Sequence, residues 1–66
     1  MYGNNLRTLR IENGLTQKQL AEKLNTSLHN ISKYESEKLD LSTEMIIKIC
    51  DYFQVSADYL LGIKED

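Results

Sequence analysis

The stretch "LTQKQLAEKLNTSLHNISKYE", Leu15 to Glu35, decides how this chain folds. Thr16 offers a hydroxyl N-cap, and Gln19 three residues on completes a capping box, so a helix begins there. Leu20, Ala21 and Leu24 recur at helical spacing and form its buried face. Asn25 breaks that helix. Thr26 or Ser27 can cap the next one, which runs to about Glu35 with Ile31 and Tyr34 turned inward. Two helices crossing at about 90–120° through a three- or four-residue turn approach closely, so one position on the first must be small. Ala21 meets that need, and asparagine accepts the positive φ of such a turn second only to glycine. Periodicity alone leaves two readings open: an αα-corner of an ordinary bundle, or a helix-turn-helix built to read DNA.

The flanks are helical too, and no stretch alternates with period two. Leu6 and Leu9 put an i, i+3 stripe on a helix over roughly Asn4 to Asn13, and Asn13 with Gly14 stops it, both tolerating the left-handed conformation. After a loop, "SEKLDL", Ser42 caps a fourth helix. There Ile46, Ile49, Cys50 and Phe53 sit at i, i+3, i+4, i+7 as a core stripe. Ser56 can cap a short last helix carrying Leu60 and Leu61, ended by Gly62. The expectation is an all-α, compact five-helix bundle: one domain over 1–66, the helix pair at about 16–35, and the last two helices at about 42–62.

Sixty-six residues bury only about 60% of the surface their unfolded chain exposes, so stability needs a well-packed core or a partner subunit. One cysteine, Cys50, and one histidine, His29, exclude an internal disulfide and a protein-only zinc site. No metal, cofactor or small-molecule ligand is expected. Catalytic sets of the Ser/His/Asp or Cys/His kind and Gly-rich phosphate loops are missing from the sequence, which argues against an enzyme. Cys50 lies on an apolar stripe and reads as a small hydrophobe. The N-terminus has no apolar run of about 7–15 residues and no stretch reaches the ~18 of a membrane span, so a cytoplasmic location is expected.

The net charge is −2 and the pI is near 5.3, an unpromising balance for a DNA reader. The charge is unevenly spread. Residues 1–38 hold Arg7, Arg10, Lys18, Lys23, Lys33 and Lys38 against Glu12, Glu22, Glu35 and Glu37, a balance of +2. Residues 39–66 hold Lys48 and Lys64 against Asp40, Glu44, Asp51, Asp58, Glu65 and Asp66, a balance of −4. Local charge decides phosphate contact, and the acidity lies behind the helix pair.

Taken together, "NLRTLRIENGLTQKQLAEKL", "ISKYE" and "VSADYLLG" resemble the lambda repressor/Cro, or XRE, family of bacterial and phage DNA-binding regulators. The resemblance runs from about Leu6 to Gly62. It implies the lambda repressor-like fold, with a recognition helix lying in the major groove of double-stranded DNA. Four positions depart from the family pattern. Asn25 replaces the usual turn glycine, and Leu39 and Leu41 stand where a basic residue and a proline are frequent. Glu37 also replaces a glycine. A left-handed Glu37 costs about 1 kcal/mol, and its carboxylate falls near the expected phosphate track.

Carried over position by position, the resemblance implies base reading by Ser27, Leu28, His29 and Lys33, with Asn30 and Ser32 as further candidates. Lys33 can donate to guanine O6 and N7, and Leu28 can touch a thymine methyl. Gln17, Lys18, Lys38 and Arg7 are the candidate phosphate contacts. Arg10 and Glu35 take the positions of a structural ion bridge between the first helix and the end of the recognition helix. The C-terminal apolar residues exceed what one bundle face can bury. Leu60 is expected inside, and Tyr59, Leu61 and Ile63 at an isologous dimer interface. The functional expectation is a regulator, read as a repressor, binding an inverted-repeat operator as a homodimer. The alternative is an antitoxin-like or anti-repressor module whose partner is a protein.

Overall fold

The computed structural model describes residues 4–63. Residues 1–3 and 64–66, part of the expected 1–66 domain, lie outside the described residues. Five helices follow one another: α1 Leu6–Glu12, α2 Gln17–Lys23, α3 Leu28–Glu35, α4 Thr43–Phe53 and α5 Ala57–Leu60. No strand occurs among the described residues.

Local side-chain chemistry sets nearly every boundary. The hydroxyls of Thr16, Ser27, Ser42 and Ser56 accept the amides of Gln19, Asn30, Met45 and Tyr59 at 3.0–3.1 Å, opening α2, α3, α4 and α5. Each satisfies one of the orphan donors of a helix start. At α2 the return bond from the Thr16 amide to Gln19 Oε1, 2.8 Å, closes the capping box. The stops are equally uniform. Gly14, Asn25, Glu37, Gln54 and Gly62 all have φ between +56° and +74°. The amide after each reaches back five residues: Leu15 to Arg10, Thr26 to Ala21, Lys38 to Lys33, Val55 to Cys50 and Ile63 to Asp58, at 2.9–3.1 Å. Four of these ends also carry the second bond of the Schellman arrangement, three residues back, while the Gln54 amide donates to Cys50.

Two boundaries differ from the sequence reading. Asn13 stays at φ −95°, and Gly14 alone turns left-handed. Helix α1 starts at Leu6, later than Asn4, because both leading asparagines hydrogen-bond outside it. Asn4 Nδ2 donates to the Tyr34 carbonyl (2.9 Å), and Asn5 Nδ2 to that of Tyr59 (2.6 Å). The Asn5 amide also donates to the Leu60 carbonyl at 2.8 Å. The chain start is thereby stitched to the ends of α3 and α5.

The core is centred on Leu6, Leu20, Ile31, Ile49 and Leu60, one fully buried side chain from each helix. Leu9, Ala21, Leu24, Tyr34 and Met45 surround them. Burying one such aliphatic side chain contributes about 1.5–3 kcal/mol, and truncating it to alanine costs about 2–5 kcal/mol. On α4 the apolar stripe is rotated from the expected one. Met45 joins Ile49 at the centre, while Ile46, Cys50 and Phe53 pack half-buried at its edge. The described residues span only 27 × 23 × 19 Å.

Candidate nucleic-acid interface

Helices α2 and α3 meet through the Asn25 turn, and Ala21, nearly bare of side chain, lies buried between them. Ile31 and Tyr34 anchor α3 to the core, so the opposite side of that helix must face solvent. Leu28 opens it at 49% exposure, and His29, Ser32 and Lys33 are exposed beside it. Leu28 with Ser32, and His29 with Lys33, are i, i+4 pairs, which makes one continuous outward row. An eight-residue helix is about 12 Å long, which matches the width of a B-DNA major groove.

Two of the six candidate readers are engaged in local bonds. Ser27 Oγ accepts the Asn30 amide (3.1 Å) as the N-cap, leaving its hydroxyl proton and one lone pair. Asn30 is half-buried, and its Nδ2 donates to Thr26 Oγ1 at 3.1 Å. The outward row is therefore Leu28, His29, Ser32 and Lys33, with Ser27 at its edge and Asn30 turned back toward the turn.

The structure brings Arg10, Glu35 and Gln17 together, a group of three where the sequence suggested a pair. Arg10 Nε donates to Glu35 Oε2 at 2.6 Å and Nη2 to Oε1 at 3.1 Å. Its remaining nitrogen, Nη1, donates to the Leu15 carbonyl at 2.9 Å. Their side chains are only 13% and 4% exposed. With its planar fork committed to these partners, the guanidinium is part of the scaffold. Gln17 Nε2 then donates to the same Glu35 Oε1 at 3.1 Å. One carboxylate thus ties α1, the start of α2 and the end of α3. Gln17 lies 18 residues from Glu35, and no local pattern in the sequence signals the bond. It uses one proton of the Gln17 side-chain amide. The other proton and the Gln17 and Lys18 backbone amides, ahead of the capped Gln19 amide, remain available for an anion.

Of the other candidate cations, Lys18, Lys38 and Arg7 are all exposed. Lys18 stands on the first turn of α2, Lys38 just beyond α3, and Arg7 on α1. Cys50 is half-buried on α4, and burial pushes its thiol up, away from the thiolate a nucleophile needs. No grouping of His, Cys, Asp or Glu able to hold a metal occurs among the described residues. None of their helices is long and apolar enough to cross a membrane.

Known proteins share this arrangement. The model of a helix-turn-helix domain matches residues 3–63. The HTH-type transcriptional regulator ImmR of Bacillus subtilis is 43% identical over 63 residues, covering 96% of this chain and 50% of ImmR. The antitoxin PezA of Streptococcus pneumoniae is 37% identical over 62 residues, covering 94% of this chain and 39% of PezA. A transcriptional regulator from Listeria innocua superposes with a TM-score of 0.83 at 34% identity, over 94% of this chain and 58% of that one. The chain thus spans half or less of the length of the two sequence relatives. With five helices, the α2–α3 pair and these relatives in agreement, the chain belongs to the XRE-type helix-turn-helix family of transcriptional regulators, which are not enzymes.

Proposed function

We propose that this domain binds double-stranded DNA by laying α3 in the major groove, and that it acts as a homodimeric repressor on an inverted-repeat operator. The observation that carries the reading is the outward row Leu28, His29, Ser32 and Lys33, held in place by the Arg10–Glu35–Gln17 network. In the row, Lys33 donates to guanine, Leu28 packs on a thymine methyl, and His29 and Ser32 exchange hydrogen bonds with base edges. Backbone amides at the start of α2, with Gln17, Lys18, Lys38 and Arg7, hold phosphates and set the register. Repression follows from occupancy: a domain seated over a promoter excludes polymerase with no further contact. The work is cytoplasmic, where the DNA is.

The dimer follows from dimensions and apolar surface. Two half-sites one helical turn apart are about 34 Å centre to centre. A body 27 Å in its longest dimension spans most of that distance, so two copies seated side by side come within side-chain reach of each other. Ile63 is 52% exposed, with Tyr59 and Leu61 half-buried beside it in sequence. A second apolar area surrounds Ile47, 63% exposed, in a groove with Ile46, Cys50, Val55 and Ala57. Both areas contribute to the isologous contact.

Selection of bound sites from a random DNA pool tests the whole reading. A symmetric site and two chains per duplex in sedimentation are expected. A monomer at high micromolar concentration, with and without the selected site, refutes the dimer. A reporter that rises with the protein, driven from the selected site, refutes repression. The similarity to an antitoxin favours a second reading, a module that captures a protein partner. A pull-down beside the mobility shift separates the two, because a partner held by a protein that shifts no duplex leaves only the second.

A further inference from the structure

The carboxylate of Glu37 stands where two separate rules of helix chemistry disfavour it. It is the left-handed stop of α3, at φ +63°, a conformation that glycine takes freely and a β-carbon resists. It also lies just past the C-terminal end of α3, where the carbonyl dipoles favour cations. Lys33 and Lys38 answer that preference and Glu37 opposes it. Glu37 is exposed and joins no ion pair among the described residues.

Its neighbours place it at the candidate interface. The Gln17–Glu35 bond holds the last turn of α3 against the first turn of α2, the end of α2 assigned to phosphate contact. Glu37 follows Glu35 by two residues and directly precedes Lys38. The Glu35 charge is answered by Arg10 at 2.6 Å. At this corner the charges open to a phosphate backbone are therefore Lys18, Lys33 and Lys38 against Glu37.

Resting on the DNA-binding reading, we propose that Glu37 limits how tightly the domain holds DNA of any sequence, by fixing one negative charge beside the phosphate track. Sequence-independent affinity arises from neutralised phosphates and released counterions. A carboxylate among the clamping lysines subtracts from that gain equally on every sequence. It touches no base edge, so it leaves discrimination between sequences alone.

The experiment compares wild type, Glu37→Gln and Glu37→Gly on a random-sequence duplex and on the site selected from a random pool, across a salt series. Glu37→Gln removes the charge and keeps the left-handed side chain. It is expected to raise affinity for both duplexes by the same factor, about three- to tenfold at low salt. The gain shrinks as salt rises, so the slope of log K against log salt steepens by up to about 0.9 per subunit. Glu37→Gly is expected to show the same gain together with a higher melting temperature. Unchanged affinity in Glu37→Gln overturns the proposal. A gain on the selected site alone overturns it too, by making Glu37 a reader, and a gain in Glu37→Gly alone assigns the effect to the backbone. A wild-type protein that binds no duplex even at low salt defeats the DNA-binding reading itself, a result separable from the others.

Discussion

Replacing Arg10 by methionine removes one partner of a nearly buried pair and keeps most of the side-chain volume. Glu35, 4% exposed, then retains only the neutral Gln17 amide at 3.1 Å, and the Leu15 carbonyl loses the Nη1 donor. Leaving a buried charge uncompensated typically costs about 3–5 kcal/mol. A chain of this size has a total stability of about 3–10 kcal/mol, at about 0.05–0.15 kcal/mol per residue. The substitution therefore consumes a third or more of it. Each kcal/mol shifts the melting temperature of so small a domain by about 4–8 °C, so a fall of at least about 12 °C is expected by circular dichroism. Lys23→Met, at an exposed position on α2, is the matched control and is expected to stay within about 0.5 kcal/mol of wild type. The double variant Arg10→Met/Glu35→Leu is expected to recover most of the loss, since exchanging a buried pair for apolar side chains is often neutral. Equal melting temperatures for Arg10→Met and Lys23→Met would falsify the scaffold role.

Leu28→Ala is expected to weaken the selected site by about 1–3 kcal/mol, if its methyl contact matches a base contact in worth, and to leave random DNA and the salt slope unchanged. Competition against sites varied one base pair at a time reads this, and equal weakening on both DNAs makes Leu28 a packing residue. The slope of log K against log salt is expected near −5 for a dimer with three phosphate contacts per subunit, and a slope steeper than about −9 means the basic surface is misplaced. Gln54→Gly is expected to stabilise the fold by about 1 kcal/mol by relieving the left-handed stop of α4, measured by urea denaturation. A loss of stability there means the exposed Gln54 side chain outweighs its backbone strain.

What was legible in the sequence was mostly what acts over three to five residues. The capping box at Thr16 and Gln19 is a local pattern, and the structure has both of its bonds. The hydroxyls at Ser42 and Ser56 and the turn at Asn25 read as easily for the same reason. Features that depend on distant neighbours did not read. Met45 entered the core in place of Cys50 because periodicity gives the spacing of a stripe, and its rotation is set by what packs against it. The local pattern assigns Asn4 and Asn5 to α1, but bonds to the Tyr34 and Tyr59 carbonyls, spanning 30 and 54 residues, hold both outside it. Gln54 carries no signal at all for the left-handed conformation. Among the candidate readers, the exposure of Leu28 and Lys33 agrees with a helix whose inward face was already assigned to Ile31 and Tyr34. The inward turn of Asn30 depends on a rotamer that spacing does not show.

Hydroxyl starts and left-handed stops have a consequence for how quickly the molecule assembles. Each signal closes a loop of three to five residues, so each helix can mark its own limits before any distant contact forms. Structures dominated by local contacts fold in about microseconds to milliseconds, because little loop-closure entropy precedes the first favourable contacts. The chain also contains no proline, so no peptide-bond isomerisation on the scale of about 10–100 s interrupts the process. Refolding from urea should then run as one fast phase, limited by bringing Leu6, Leu20, Ile31, Ile49 and Leu60 to a common centre. A protein built this way regains the outward row of α3 soon after any local unfolding.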